Sequence, residues 1–252
     1  MTDFTDARIM ITGAASGIGA ATARRLADDG ARKLILFDWD EVKLRDFGFT
    51  LPCERQPIIG DVADEALWSS SDLTGLTHAV INAGIGEGKP IADMSFEDWR
   101  RVMRVNLDGA FLSLQAALKA IRATGGGGAI VVTASVAGIK AEPGIAAYAA
   151  SKAAVIQLAR VAAKEAAPDG IRVNAIAPGG VETPIWRNVD MFTDLVNQTG
   201  SEEAAFQAFG AGAPLGRFAK PEEIAAQIAF LLSDDSATVT GSCFVSDGGY
   251  SL

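Results

Sequence analysis

Arg8-Ile9-Met10-Ile11-Thr12-Gly13-Ala14-Ala15-Ser16-Gly17-Ile18-Gly19 reads as a short apolar strand, a glycine turn and the opening of a helix whose pattern runs on from Ala20 to Asp29. Glycines at 13, 17 and 19 permit a tight turn, let the backbone approach a pyrophosphate, and allow the helix to pack closely on the strand. The helix N-terminus then turns its free N–H groups toward the phosphates. A glycine loop alone is a common turn; here the strand before it and the helix after it supply the context that a dinucleotide site requires.

Working outward, Gly30 ends the helix and Lys33-Leu34-Ile35-Leu36-Phe37-Asp38 forms a second buried strand that closes on a carboxylate nineteen residues after Gly19. An acid at that distance accepts hydrogen bonds from the ribose hydroxyls of NAD and repels the 2'-phosphate of NADP. Neither Ser16 in the loop nor Trp39 after the acid adds a cation for such a phosphate. A short helix follows from Asp40 to about Phe49, then a third strand over Pro57–Val62, in which Asp61 is placed to meet the adenine amino group. His78–Ile81 is a fourth strand and runs into Asn82-Ala83-Gly84, small residues that let the backbone pass close beside a cofactor.

The pattern predicts a long amphipathic helix from about Phe96 to Ala123 with Asn106 at mid-length, where a buried amide needs a partner or a task. Ala129–Ala134 is strand five and delivers Ser135 at its carboxyl end; a helix with Tyr148 and Lys152 comes next. Ile171–Ala177 is strand six, followed by Pro178-Gly179 beside the expected nicotinamide. Residues 181–213 carry apolar side chains among polar ones, the pattern of a substrate lid. A helix from Pro221 to Leu232 and a strand over Gly241–Val245 complete the chain. Strands alternate with helices throughout, so the expected fold is a single α/β domain over 1–252, a doubly wound seven-stranded parallel sheet with helices on both faces.

The 252 residues carry a net charge of -9, which opposes partnership with nucleic acid or an anionic membrane surface. No apolar run reaches the ~20 residues of a membrane span, and the start lacks a secretory pattern, so the expected location is the cytoplasm. Cys53 and Cys243 stand far apart without metal-ligand spacing, and no metal site is expected. His78 is the sole histidine and begins an apolar strand, which removes the usual base of a serine hydrolase mechanism.

Tyr148 and Lys152, four residues apart, share one helix face. A tyrosine used as a proton carrier near neutrality needs its pKa lowered by roughly three units, about 4 kcal/mol, and an adjacent ammonium supplies part of that. Ser135, at the carboxyl end of a central strand, stands where open α/β sheets place their ligands.

Together Thr12–Gly19, Asp61, Asn82-Ala83-Gly84, Asn106, Ser135, Tyr148 with Lys152, Pro178-Gly179 and Thr183 closely resemble the short-chain dehydrogenase/reductase family over nearly the whole chain. The resemblance implies a nicotinamide-dependent oxidoreductase on a Rossmann sheet, usually tetrameric, with Asn106, Ser135, Tyr148 and Lys152 as catalytic tetrad. The expected cofactor contacts are Gly13, Ser16, Gly17, Ile18, Gly19, Asp38, Trp39, Asp61, Val62, Asn82, Ala83, Gly84, Tyr148, Lys152, Pro178, Gly179, Val181 and Thr183. The span from Asp38 to Asn82 is shorter than usual in the family, so clipped helices and a more open adenine side are expected.

The expected reaction is hydride transfer between NAD and a secondary alcohol or ketone. Alternatives within the family are a 3-oxoacyl-type reductase and an NADP(H)-using carbonyl reductase; outside catalysis, an NAD-sensing binding module would be expected to lose a tetrad member, and none is lost. Small or apolar residues at Ala149, Ala153, Ile156, Ala159 and Ala163, with a similarly apolar stretch over Leu107–Ala120, suggest surplus helix surface for two-fold contacts and a homotetramer.

Overall fold

The computed structural model describes residues 3–252, so the first two positions of the expected 1–252 domain, Met1 and Thr2, lie outside the described residues. Seven strands form one sheet in the order β3-β2-β1-β4-β5-β6-β7. They are β1 (Arg8–Thr12), β2 (Lys33–Asp38), β3 (Glu54–Ile59), β4 (His78–Ile81), β5 (Gly128–Thr133), β6 (Ile171–Pro178) and β7 (Cys243–Ser246). Every pairing is parallel. Chain order reverses across the β1–β4 pair, and the crevice at the carboxyl ends of such a pair is where doubly wound sheets hold ligands.

Because neighbouring strand residues point to opposite faces, one strand feeds two cores. Met10, Ile35 and Ile81 join α5 (Gly109–Thr124) and α6 (Ala146–Ala166) on one side. Ile9, Ile11, Leu34 and Val80 join α1 (Gly17–Asp28) and α9 (Pro221–Leu232) on the other. Both faces are covered, which explains why the strands read as unbroken apolar runs.

Three elements differ from the expectation. The third strand begins at Glu54, three residues before Pro57, since β3 is an edge strand and the missing proline N–H costs no ladder bond on its open side. The helix expected over 96–123 is α4 (Phe96–Met103) and α5 joined by a π-helical segment, Arg104–Asp108, that places Asn106 at its centre. Ile156, Ala159 and Ala163, assigned above to a subunit contact, are buried within this chain, whereas Ala153 is exposed as expected, and the exposed large apolar residues of the two helices are Phe111 and Val161.

Around β3 the helices are short: α2 (Glu41–Gly48) has 8 residues and α3 (Glu65–Ser70) has 6. Residues 181–213 hold a 3₁₀ turn (Pro184–Asn188) and two helices, α7 (Asp190–Thr199) and α8 (Glu202–Gly210). These close on a third small core in which Phe192, Ala205 and Phe206 are buried with Trp186, Phe209 and Phe218 around them. Among the described residues no helix is long and apolar enough to cross a membrane.

Candidate active site

A cavity of about 1060 Å³ runs across the carboxyl ends of the central strands. At one end lies the turn after β1. Gly13 and Gly17 adopt φ of +65° and +52°, a left-handed backbone that side chains rarely accept. A Cβ on Gly13 would stand 2.9 Å from Ala83 Cα, and one on Gly19 only 2.0 Å from the Gly13 carbonyl oxygen. The glycines therefore clear space for the turn, the neighbouring strand and the helix. Ser16 caps α1 without a side-chain bond and the first turn carries no acid, which leaves the positive helix end open to an anion.

Asp38 ends β2 and is nearly buried. Its carboxylate accepts from Ala15 N at 2.9 Å and Asp40 N at 3.0 Å, bonds that fix its orientation and leave lone pairs on both oxygens for ribose hydroxyls. Trp39 stands at the rim, 79% exposed. Sequence reasoning missed Lys43, which also lines this end; Asp40 accepts from its ammonium at 2.7 Å, so the cation arrives already paired. Asp61 lines the cavity, but its Oδ2 accepts from Arg104 Nη1 at 2.6 Å and its Oδ1 from Ala63 N, bonds that compete with an adenine amino group.

At the other end Ser135, Tyr148 and Lys152 meet. Ser135 emerges from β5 and caps a 3₁₀ turn (Val136–Gly138), accepting from Ala137 N at 3.2 Å. Tyr148 and Lys152 project from the first turns of α6, with the ammonium 5.6 Å from the phenol ring centroid. Lys152 is buried and donates to the Thr133 carbonyl at 2.9 Å. Burial pulls its pKa down to about 8. Burial likewise pushes the Tyr148 phenol up, with the Ser135 hydroxyl pulling weakly the other way. In the empty cleft burial thus outweighs the serine bond, a direction opposite to the lowering expected from the Tyr148–Lys152 spacing.

Of the expected site residues, Asn106 and Gly19 do not face the cavity. Asn106 is buried behind Gly84, where Oδ1 accepts from Ile85 N at 2.8 Å while Nδ2 donates to Ile85 O at 2.9 Å and Ser151 Oγ at 3.2 Å. Ser151 Oγ in turn donates to the Tyr148 carbonyl at 2.7 Å. The amide thus ties the loop after β4 to the helix that carries the phenol. Ser16, Gly17, Ile18, Val62, Asn82, Ala83, Gly84, Pro178, Gly179, Val181 and Thr183 all line the cavity as expected. The C-terminal residues Asp247, Gly248 and Tyr250 also line it; only the Asp247-Gly248-Gly249 turn hinted at them. Among the described residues no cluster of three His, Cys, Asp or Glu side chains could hold a metal ion. His78 is structural: burial holds its pKa near about 4, and its Nδ1 pairs with Thr77 Oγ1 at 2.8 Å.

A Rossmann sheet with an anion-ready glycine turn at one end of a cleft and a tyrosine–lysine–serine group at the other defines a nicotinamide-dependent oxidoreductase. Residues 13–251 match the family model described as enoyl-(acyl carrier protein) reductase. Among curated proteins, the cis-4-hydroxycyclohexanecarboxylate dehydrogenase of Sinomonas cyclohexanicum is 39% identical over 98% of this chain and 97% of its own. The cyclohexanol dehydrogenase of Acinetobacter sp. (strain SE19) is 37% identical over 98% and 96%. The crystal structure of a levodione reductase superposes with a TM-score of 0.87 at 36% identity, covering 98% of each chain. The chain belongs to the short-chain dehydrogenase/reductase family.

Proposed function

We propose that the protein interconverts a compact secondary alcohol and its ketone with NAD(H), using Tyr148 as general acid/base. The observation that carries this reading is the convergence of Ser135, Tyr148 and Lys152 on one wall of a cavity whose far end holds Asp38. When bound, the nicotinamide cofactor supplies the hydride acceptor or donor. Ser135 holds the substrate oxygen by a hydrogen bond, and Tyr148 takes the hydroxyl proton in oxidation or returns it in reduction. Lys152, still mainly protonated at neutral pH, favours the phenolate when it forms and anchors the nicotinamide ribose. A Cβ on Gly84 would sit 3.3 Å from Asn106 Oδ1 and 3.4 Å from Lys152 Nζ. Asn106 and Lys152 therefore border one small space, in which a water can carry the proton onward.

The choice of NAD rests on Asp38, with the Lys43–Asp40 pair leaving that end net negative toward a 2'-phosphate. A compact, partly apolar substrate is supported by Ile85, Ile145, Ile185 and Trp186 on the walls, and by the ring alcohols in the names of the two curated relatives. Residues 181–213 act as its lid. A second reading, a reductase of 3-oxoacyl thioesters, draws on the acyl carrier named in the description of the matching family.

A panel of secondary alcohols and ketones assayed with NAD(H) and NADP(H) tests the reading. Tyr148→Phe keeps the ring and removes the proton carrier, so turnover should fall at least ~10²-fold with cofactor affinity nearly unchanged. Activity within a few-fold of the wild type, or no turnover of any alcohol by the wild type, overturns it.

A further inference from the structure

Beyond the tyrosine–lysine–serine group, the substrate end of the cavity holds a second polar cluster assembled from distant parts of the chain. Lys140 and Glu142 lie just past the 3₁₀ turn that starts at Ser135, and Lys140 N donates to Val136 O at 2.8 Å, which folds this segment back toward the catalytic serine. Tyr250 comes from the C-terminal hook. Asp247 shapes that hook by accepting from Gly249 N at 2.9 Å and Ser251 N at 2.8 Å, and Leu215 N, just past residues 181–213, donates to Gly248 O at 3.1 Å. Lys140, Glu142, Leu215 and Tyr250 all line the cavity.

The bonding within the cluster is lopsided. The Tyr250 hydroxyl donates to Glu142 Oε1 at 2.6 Å. Lys140 Nζ donates to the Tyr250 carbonyl at 3.0 Å, lies 3.4 Å from Glu142 Oε1, and sits 3.7 Å from the Tyr250 ring centroid. An ammonium has three donors and a carboxylate two oxygens. One Lys140 N–H is therefore left over, and among the described residues nothing donates to Glu142 Oε2. This leaves one donor on Lys140 and one acceptor on Glu142, in side chains 38% and 34% exposed that both line the cavity.

A hydroxyl satisfies both, accepting from Lys140 and donating to Glu142. A ketone oxygen uses only the donor, a carboxylate is repelled by Glu142, and an apolar group strips both of water without replacement. Resting on the alcohol/ketone reading above, we propose that Lys140 and Glu142, held in place by Tyr250, form a subsite for a second hydroxyl, so that the preferred substrates are compact diols or hydroxyketones. The catalytic group acts on one carbinol while the subsite binds the other hydroxyl unchanged.

The test compares kcat/KM for 1,2- and 1,4-cyclohexanediol, cyclohexanol and 4-hydroxycyclohexanecarboxylate in the wild-type protein with NAD. The better diol should exceed cyclohexanol by about tenfold or more, the usual return on a hydrogen bond to a charged group. Glu142→Gln should bring the ratio close to unity. Tyr250→Phe loses only the hydroxyl bond to Glu142 and keeps the ring and carbonyl that hold Lys140, so it should keep the ratio within about threefold of the wild-type value. A wild type that prefers the carboxylate, or shows no preference for either diol, overturns the subsite while leaving the alcohol reading standing. A ratio untouched by Glu142→Gln, or one that collapses equally in Tyr250→Phe, also overturns it, the latter by making the Tyr250 hydroxyl bond the cause. Absence of any alcohol turnover would bring down the underlying reading, and the subsite with it.

Discussion

Replacing Lys152 with methionine should abolish catalysis and stabilise the fold. The buried ammonium has its pKa pulled from 10.5 down to about 8 by loss of water, so carrying the charge inside the protein is unfavourable. A fall from 10.5 to about 8 corresponds to about 3 kcal/mol of destabilisation at pH 7, where folded and unfolded lysine are both protonated. Methionine, of similar length and without charge, removes that cost but forfeits the bond to the Thr133 carbonyl at 2.9 Å, about 1 kcal/mol. The net gain is about 2 kcal/mol, or about 4 to 8 °C in Tm for a chain of this size. Between pH 8 and 10.5 the unfolded lysine holds a proton that the folded one has released, so the wild type gains stability as pH rises through that window. The variant's advantage should therefore shrink from pH 8 upward, vanish at about pH 9.5 and be reversed, by about the Thr133 bond it lacks, at about pH 10.5. Thermal and urea unfolding of both proteins without cofactor, at matched protein concentration and at pH 7, 9 and 10.5, measures this. A variant less stable than the wild type at pH 7, or an advantage that does not change with pH, refutes the reasoning.

Asp38→Ala should weaken NAD binding by about 1.5 to 3 kcal/mol, the range for charge-assisted bonds, and narrow the gap to NADP; titration calorimetry with both cofactors decides, and a wild type that already prefers NADPH refutes the reading of this acid. Asn106→Ala orphans the Ile85 N–H and carbonyl and should cost about 2 to 4 kcal/mol in urea unfolding, with a loss below about 1 kcal/mol contradicting the bonding described. Light scattering on the 26.2 kDa chain should give four times that mass if the exposed Phe111 and Val161 faces and the β7 edge both make two-fold contacts, and a single-chain mass refutes the tetramer.

The architecture was legible because a parallel sheet covered on both faces writes its strands as apolar runs, as in Lys33–Asp38 and Gly128–Thr133, and because the glycines between β1 and α1 have a steric task no other residue performs. Pro57 misled, since proline looks like a boundary unless the strand is known to lie at an edge. The π-helical segment at Arg104–Asp108 was hidden: no glycine or proline marks it, and what stabilises it is Asn106 bonding across to Ile85 in another element. The direction of the Tyr148 shift was hidden for a related reason, because spacing shows which charges are near but not how much water is lost. The pairing of Tyr250 could not be found from the sequence. Its partner Glu142 is 108 residues away, and no pattern in the chain links them.

The aromatic core of residues 181–213 bears on how this scaffold can change over generations. Trp186 packs on Phe192, Phe209 and Phe218 at centroid distances of 6.1, 5.6 and 5.2 Å, and Phe192 on Phe206 at 4.6 Å, all within the segment or its return strand of chain. The cohesion of this flap is therefore separate from the two large cores that hold the sheet. On the lid reading proposed above, substitutions at Ile185, on the cavity wall, alter the shape offered to a substrate while leaving Lys152 and its bond to Thr133 in place. Sites that share no partners accumulate changes nearly additively. On that reading, new substrate preferences can be tried in this segment, one residue at a time, while the wall of Tyr148 and Lys152 is left unchanged.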